Sequence, residues 1–369
     1  CAALDPAWLT CREARGEGAI EACTLVLGRQ DTGNARRAAA YRNRGTAHAA
    51  RTYRNHEAAT SEQASASLAL ADLDEAIRLN AEDAQAYMWR GYVRSRLHDF
   101  DRAIADLSAA IRLDPNAQFA RLNRGYAYLS KGELDSALAD LDAAIRADPN
   151  DKEARFNRGL VRAGKNERGA ALADLDEAIR LDPDYVDALV YRGDIKASGN
   201  DLDGAIADFT KAIQLDPGFK DIWKHRANAH IRKGALDSAL ADLDAAIRAD
   251  PKDKASWFNR GLVRARKNER VAALADLDEA IRLDPDYVDA LVYRGANRFT
   301  IDDLDGALAD FTRAIHLAPG LKDIWNRRAN AFMRKGALDA ALADVNEALR
   351  LDPSDARSEE HTSELQSHS

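Results

Sequence analysis

Few residues of this chain could do metal or nucleophilic chemistry. The cysteines, Cys1, Cys11 and Cys23, all fall within the first 23 residues, which excludes a zinc cluster or a disulfide framework in the remainder. The eight histidines form no HExxH motif and pair with no cysteine at ligand spacing. We therefore predict no metal site and no cofactor. One bridge, from Cys11 to Cys23, is the cysteine chemistry that remains.

Two acidic segments, at 199–204 and 301–306, partly match a calcium-binding loop. Gly199 and Ile301 stand where the first ligand is needed and no glutamate closes either loop, so we interpret these acids as helix starts. The chain also has no GxSxG, phosphate-binding or dinucleotide-binding motif. The sequence predicts a protein without catalytic residues, which is not an enzyme.

The charge and hydropathy of the chain exclude two further classes. A formal net charge of -8 and a pI near 5.6 disfavour binding to a nucleic-acid backbone by bulk electrostatics. No apolar run approaches the roughly 18 residues that a membrane span needs. We predict neither a nucleic-acid partner nor a transmembrane segment.

Prolines recur at an interval of 34 residues through most of the chain. They are Pro115, Pro149, Pro183, Pro217, Pro251, Pro285, Pro319 and Pro353. With proline counted as position 32, eight full repeats begin at residues 84, 118, 152, 186, 220, 254, 288 and 322. A period of this length with two helical patterns is typical of stacked helical hairpins.

Other repeat positions fit a tightly packed hairpin. Position 8 is Gly or Ala and positions 20 and 27 are Ala, so neighbouring helices can approach closely, while Leu, Phe or Val at position 24 is the large apolar partner. Position 15 always tolerates a left-handed backbone, which predicts the end of the first helix, and proline at position 32 predicts the end of the second. The residues at position 15 are His98, Gly132, Asn166, Asn200, Gly234, Asn268, Asp302 and Gly336.

Every full repeat also has Arg at position 7 and Asp at position 23, from Arg90 and Asp106 to Arg328 and Asp344. We predict a ladder of structural Arg-Asp pairs within or between repeats. A longer period is present as well, because FNRGLVRAGKNER at 156–168 returns as FNRGLVRARKNER after 102 residues. This step of three repeats indicates a duplicated block.

The small residues at positions 8, 20 and 27 and the proline at position 32 make the chain resemble the tetratricopeptide repeat family. The resemblance covers about three quarters of the chain. It implies an all-α fold, a right-handed α-solenoid of tandem helix-turn-helix hairpins whose first helices line a concave groove. Arg at position 7, where the family often has Leu, departs from the pattern.

We predict four segments along the chain. Residues 1–36 form a degenerate helical hairpin that caps the array, with Cys11 and Cys23 as its candidate bridge, and 37–83 form an expanded repeat. Gly45 and Gly91 are 46 residues apart instead of 34, so 12 are inserted, near 54–66. Residues 84–355 hold the eight repeats. We expect 356–369 to be an unstructured tail, artefactual in origin, since it resembles a translated sequencing adapter.

Two alternatives stay open at the N-terminus. Cys1 fits either the lipidated first residue of a bacterial lipoprotein or the start of a gene fragment. A bridge between Cys11 and Cys23 would need an oxidising compartment and so favours export, for instance to the periplasm. Two buried thiols would instead suit a cytoplasmic cap.

The resemblance implies that positions 2, 5, 6, 9, 12 and 13 line the groove. Early repeats have aromatic residues there and later repeats have polar and basic ones, while Asp187 and Asp289 speak against RNA as a ligand. The candidate peptide-binding residues are Trp89, Tyr92, Tyr126, Lys224, His225, Asn228, Arg232, Asn259, Arg266, Arg327, Asn330 and Arg334.

Lys224, Asn228 and Asn259 resemble part of the carboxylate clamp of chaperone-binding members of the family, although Asp289 and Tyr293 depart from it. The resemblance thus implies a non-enzymatic scaffold that binds a protein or peptide segment, one with an acidic or C-terminal carboxylate being a candidate. The alternative is the interaction region of a larger enzyme or secretion component whose working domain is missing from this chain.

Overall fold

The computed structural model describes residues 5–54, 59–218 and 220–352, and the side chains of 52–54, 59–62 and 220 are left aside. The predicted tail, 356–369, lies outside these residues, as does Pro353. The described residues are all-α and contain no strand. They fall into two compact units, 1–188 and 189–369, and the division lies within α11.

Unit 1 contains the helices up to α10, each packed against the next along the chain. They are α1 Pro6–Glu13, α2 Glu17–Leu27, α3 Asn34–Arg54, α4 Ala59–Leu79, α5 Ala84–Arg96, α6 Phe100–Leu113, α7 Gln118–Ser130, α8 Leu134–Ala147, α9 Lys152–Gly164 and α10 Arg168–Leu181. The helices α3 and α4 have 21 residues each, against 13 or 14 in the regular hairpins, so the inserted residues lengthen both helices.

Unit 2 continues with hairpins of the regular length. Its helices are α11 Val186–Ser198, α12 Leu202–Leu215, α13 Lys220–Lys233, α14 Leu236–Ala249, α15 Lys254–Arg266, α16 Arg270–Leu283, α17 Val288–Thr300, α18 Leu304–Leu317, α19 Lys322–Arg334 and α20 Leu338–Leu351. In each unit the first helices of successive hairpins also contact one another, as α5 contacts α7 and α15 contacts α17. The groove positions of these helices therefore form one surface in each unit, here named the first-helix face.

The helix ends confirm the predicted turn chemistry. All eight residues at position 15 have a positive φ, between 60° and 81°, including the non-glycine residues such as His98. Each second helix ends two residues before the repeat proline, and the residue between them is extended, as at Asp148 with φ -132° and ψ 98°. Proline excludes the helical conformation for the residue before it, which explains this stop.

The hairpin cores show why positions 8 and 20 hold small residues. A Cβ at Gly91 would lie 2.7 Å from Leu107 Cγ, and one at Gly193 would lie 2.6 Å from Phe209 Cε1. Alanine at position 20 is fully buried in every repeat, from Ala103 onward. Larger side chains there would force the two helices apart.

A bidentate Arg-Asp pair joins the two helices of each hairpin from α3–α4 onward. Arg158 Nε and Nη2 donate to the two carboxylate oxygens of buried Asp174 at 2.9 and 2.6 Å, and Arg158 Nη1 donates to Asp142 of the preceding hairpin at 2.7 Å. The predicted ladder therefore acts both within and between repeats. The same bidentate pairs are Arg44–Asp72, Arg90–Asp106, Arg124–Asp140, Arg192–Asp208, Arg226–Asp242, Arg260–Asp276, Arg294–Asp310 and Arg328–Asp344.

At each junction between hairpins, the residues at position 25 of one hairpin and position 11 of the next keep the numbers of cations and carboxylates equal. Where position 25 of one hairpin is Asp, position 11 of the next is a second cation on the buried carboxylate; Arg162 Nη1, for example, donates to Asp174 at 2.8 Å. Where position 25 is Ser or Thr, position 11 of the next hairpin is Tyr, His or Phe. Such a junction has one carboxylate and one cation, whereas a junction with Asp at position 25 has two of each. The acidic junctions within units are Asp74 with Arg94, Asp142 with Arg162, Asp244 with Arg264 and Asp278 with Arg298. The hydroxyl junctions are Ser108 with Tyr128, Thr210 with His230 and Thr312 with Phe332.

Candidate interaction surfaces

The first-helix face of unit 1 has an aromatic cluster at its centre. Trp89 and Tyr92 of α5 and Phe119 of α7 have ring centroids 5.5 to 5.7 Å apart. Phe119 is 36% exposed and Trp89 is half-buried, whereas Tyr92 is only 7% exposed. Tyr92 was predicted to line the groove, but it packs with the core residues Leu73 and Val93 and supports the two outer rings. Tyr126 lies half-buried further along α7.

A cavity of about 510 Å³ lies between the cap hairpin and the start of this face. Its walls are the α1–α2 loop with the adjoining ends of α1 and α2, one face of α3, and Trp89. The lining residues are Arg12, Glu13, Ala14, Arg15, Gly16, Ala19, Asn43, Thr46, Ala47, Ala50, Arg51 and Trp89. Of these, only Trp89 was predicted from the sequence. The cap matches no repeat register, but Gly16 with a φ of 64° marks a tight turn that could have been suspected.

The cap hairpin is fixed to itself and to α3. Cys11 and Cys23 are fully buried and joined in a disulfide between α1 and α2. Asn43 Nδ2 of α3 donates to the Cys11 carbonyl oxygen at 3.2 Å, at the end of α1. Arg44 Nη1 donates to Thr24 Oγ1 of α2 at 3.1 Å. The α1–α2 loop, which lines the cavity, therefore connects two helices that are fixed to each other and to α3.

On the first-helix face of unit 2, Lys224 is engaged by its own chain. Its Nζ lies 2.7 Å from Asp221 Oδ1 and 3.2 Å from Asp253 Oδ2. Burial opposes the charged ammonium, but hydrogen bonds to both carboxylates raise the pKa of Lys224 above its ordinary value. A peptide carboxylate would have to compete with these two partners.

His225 is paired in a similar way. Its Nδ1 lies 2.6 Å from Asp194 Oδ1 on α11. The hydrogen bond to Asp194 raises the pKa of His225 above 6.5, and burial only partly offsets it. On the same helix, burial lowers the pKa of His230, 3.8 Å from Asp242. The pKa values of the two histidines of α13 are therefore shifted in opposite directions.

The basic residues at position 13 divide into two groups. Arg232 donates to the Ala197 carbonyl oxygen at 2.7 Å, and Arg334 donates to the Phe299 carbonyl oxygen at 2.9 Å, 35 residues earlier in each case. These two guanidinium groups therefore hold the end of the preceding first helix. Arg266 is exposed, has no such bond to a described residue, and borders a shallow cavity of about 260 Å³ beside Tyr293.

The remaining candidates make no side-chain hydrogen bond or ion pair with a residue that the structure describes. Arg327 and Asn228 are exposed, and Asn259 and Asn330 are half-buried. Lys224 and Asn228 lie on α13, and Asn259 lies on α15. The structure records no hydrogen bond between any of the three clamp residues, so the clamp stays a prediction.

No group of three or more His, Cys, Asp or Glu side chains within the described ranges could hold a metal ion. Within the same ranges, no helix has the length and apolar character needed to cross a membrane.

Comparison with known proteins identifies the family. A family model described as tetratricopeptide repeat matches residues 61–117, 90–152, 122–163, 156–218 and 294–356, and a second model of that description matches 196–259. No curated protein matches the chain.

The chain is similar to several solved structures. YrrB, "a TPR protein with an unusual peptide-binding site", is 27% identical over 50% of this chain and 95% of its own, with a TM-score of 0.41. MamA is 28% identical over 44% of this chain and 95% of its own, also at 0.41. The C-terminal part of a TPR repeat-containing protein from Cytophaga hutchinsonii, 16% identical over 65% of this chain and 98% of its own, has a TM-score of 0.57 and shares the fold. The matched models cover more than half of the sequence, and the chain belongs to the tetratricopeptide repeat family of protein-interaction scaffolds.

Proposed function

We propose that the first-helix face of unit 1 binds a protein segment through apolar and aromatic side chains. On this proposal the chain acts by holding a partner and catalyses no reaction on it. The observation that carries the proposal is the cluster of Trp89 and Phe119 over buried Tyr92. Two aromatic rings remain accessible on a surface that the fold leaves uncovered.

Aromatic rings of this kind are suited to anchor a partner. They bring a large contact area with little conformational freedom to lose, and they are enriched among the residues that dominate binding energies. The buried Tyr92 fixes the orientation of Trp89 and Phe119 before a ligand arrives. Less entropy is then lost on binding than with flexible side chains.

An acidic or C-terminal carboxylate segment at Lys224 is the competing specificity. It has weaker support, because Lys224 already has two carboxylate partners and Arg232 is bonded to a carbonyl oxygen. Arg266 and Arg327 keep exposed guanidinium groups that could attract acidic residues, but they lie on exposed surface where charge pairs contribute little.

The test is a selection from a displayed library of random dodecapeptides with the wild-type chain. Affinities of the enriched peptides are then measured for wild type, Phe119→Ala and Tyr87→Ala. The control removes a ring from position 4 of α5, off the first-helix face. Loss of an anchor of about 2 kcal/mol would weaken binding by about thirtyfold in Phe119→Ala and little in the control. Equal affinity of wild type and Phe119→Ala would refute the proposal, and so would a selection without enrichment.

A further inference from the structure

The cavity beside the cap hairpin combines an apolar lining with a charged rim. Its volume of about 510 Å³ falls within the range of about 300–1,000 Å³ that is usual for ligand sites. Methyl groups of Ala14, Ala19, Ala47 and Ala50 and the indole of Trp89 make up its apolar part. Such a lining suits one bulky apolar side chain.

The rim of the cavity is positively charged. Three arginines, Arg12, Arg15 and Arg51, border it with one acid, Glu13. Arg51 is paired with Glu17 beside the lining, so the rim keeps an excess of one cation. Arg15 is exposed and makes no ion pair with a described residue. Arg12 pairs with Glu13, but both of these side chains are more than half exposed, so this pair is weak. In a chain with a net charge of -8, this is a local excess of positive charge.

One wall of the cavity belongs to the cap hairpin. The α1–α2 loop contributes Ala14, Arg15 and Gly16, and the Cys11–Cys23 disulfide joins the helices on either side of that loop. These helices are short, with 8 and 11 residues, and helices of that length have little stability of their own. The bridge lies in a small core cluster with Ala22, Val26 and Ala40.

We propose that this cavity binds a bulky apolar side chain of a protein segment that has an acidic residue next to it, and that the Cys11–Cys23 disulfide keeps the cavity formed. The apolar side chain enters between Ala50 and Trp89, and the adjacent carboxylate meets Arg15 and its neighbours. This inference rests on the proposed function, since it names the anchor of the segment held by the same face.

The first experiment fills the cavity. Ala50→Trp places an indole at position 13 of the expanded repeat, and Ala105→Trp makes the same change at an exposed position of the second helix α6, off the first-helix face, as a matched control. With fluorescein-labelled peptides from the dodecapeptide selection, we expect Ala50→Trp to lose about tenfold or more in affinity, as for a blocked anchor, and Ala105→Trp to stay near wild type. Unchanged affinity in Ala50→Trp would overturn the cavity as the anchor site.

The second experiment tests the charge. Arg15→Glu reverses the charge of an exposed rim residue, and Arg112→Glu makes the same change on α6, away from the cavity. We expect Arg15→Glu to weaken binding by about threefold at low salt and less at high salt, and Arg112→Glu to have no effect. Enriched peptides should carry Asp or Glu beside Phe, Trp or Leu. Equal losses in both variants, or enrichment without acids, would contradict the acidic requirement.

The third experiment reduces the disulfide. Binding of the same peptides is compared for oxidised protein, protein treated with a phosphine reductant and the double variant Cys11→Ser, Cys23→Ser. We expect both disulfide-free forms to lose as much affinity as Ala50→Trp, while the helical far-ultraviolet circular dichroism contributed by the cysteine-free hairpins is retained. Full binding after reduction would refute the bracing role. If Phe119→Ala abolishes binding while Ala50→Trp and reduction do not, the proposed function stands and this inference fails.

Discussion

The first-helix faces of the two units are built on one repeat frame but differ in what they leave unsatisfied. In unit 1 the face has uncovered aromatic rings and a cavity with an unpaired arginine on its rim. In unit 2 four of the nine polar candidates already have partners: Lys224 has Asp221 and Asp253, His225 has Asp194, and Arg232 and Arg334 have carbonyl oxygens. The residue types in unit 2 suggest a binding surface more strongly than their contacts do.

A side chain on a repeat face is available to a partner when it is exposed and is not already paired within the chain. Residue type alone does not decide this. A basic side chain on a first helix can stabilise the array itself, as Arg232 and Arg334 do by bonding carbonyl oxygens of the preceding first helix. An aromatic ring on a first helix makes few hydrogen bonds within the array, so a ring that does not fit into the hairpin core stays exposed.

The largest expected effect tests whether the frame is the same in both units. Asp174→Ala and Asp276→Ala remove equivalent buried carboxylates, and each leaves two guanidinium groups short of a partner. Breaking a buried pair from one side costs about 3–5 kcal/mol, so we expect a local loss of that size in both units. Hydrogen exchange of α9–α10 and α15–α16 measures it, because repeat arrays need not unfold in one step.

The control for the frame is Asp286→Ala. The Asp286 side chain is 73% exposed, and its one ion pair with a described residue is a long one, 3.7 Å from Oδ1 to Arg313 Nη2. It should change protection by less than about 0.5 kcal/mol. A loss in one unit more than about 1.5 kcal/mol larger than in the other would show that the frame is not shared.

A smaller effect is expected from exchanging junction types. Thr210→Asp adds a carboxylate beside Asp242, where Arg226 is the nearest cation and His230 has a lowered pKa. We expect a loss of about 1 kcal/mol, restored by adding His230→Arg. Ser108→Asp with Tyr128→Arg is the matching pair in unit 1. If the stability changes of the two substitutions simply add in both double variants, charge balance is not the reason why positions 25 and 11 vary together.

Histidine titration in α13 gives a smaller effect still. The folded-state pKa of His225 lies above 6.5, so its stabilising contribution is complete below pH 6.5 and is lost as pH rises through the raised value. His230 behaves oppositely, since its lowered pKa means that stability falls as pH drops below 6.5. Imidazole resonances in an NMR titration should show His225 protonated at a pH where His230 is neutral. The reverse order would contradict the Asp194 contact.

The smallest effect is expected at the predicted clamp. Lys224→Ala should change the affinity for peptides with a free acidic C-terminus by less than about twofold, because Asp221 and Asp253 already hold the ammonium group. Peptides with an amidated C-terminus are the control. A loss of about tenfold confined to the free-acid peptides would restore the clamp and move the binding surface to unit 2.

The sequence was sufficient for the frame because the frame repeats. The prolines, the left-handed position 15 and the Arg-Asp ladder each recur at a fixed interval, so local chemistry was enough to predict them. The same logic failed at Lys224, whose partner Asp253 lies 29 residues later in another helix junction. It also failed at the cap cavity, because residues 12–19 have no repeat register to say which helix they will face.

The junctions between hairpins also govern how such an array can change length. Hydroxyl junctions occur at Ser108, Thr210 and Thr312, which are 102 residues apart, the length of the duplicated block. Losing α5–α6 would bring Asp74 against Tyr128, and losing α7–α8 would bring Ser108 against Arg162, so either loss leaves a charge without its counterpart. The hairpin α15–α16 has acidic junctions at both ends, and its loss would leave Asp244 matched with Arg298. Recombination in blocks of three hairpins keeps every junction matched wherever the block begins, whereas a single hairpin can be gained or lost without a mismatch only where both of its junctions are of the same type.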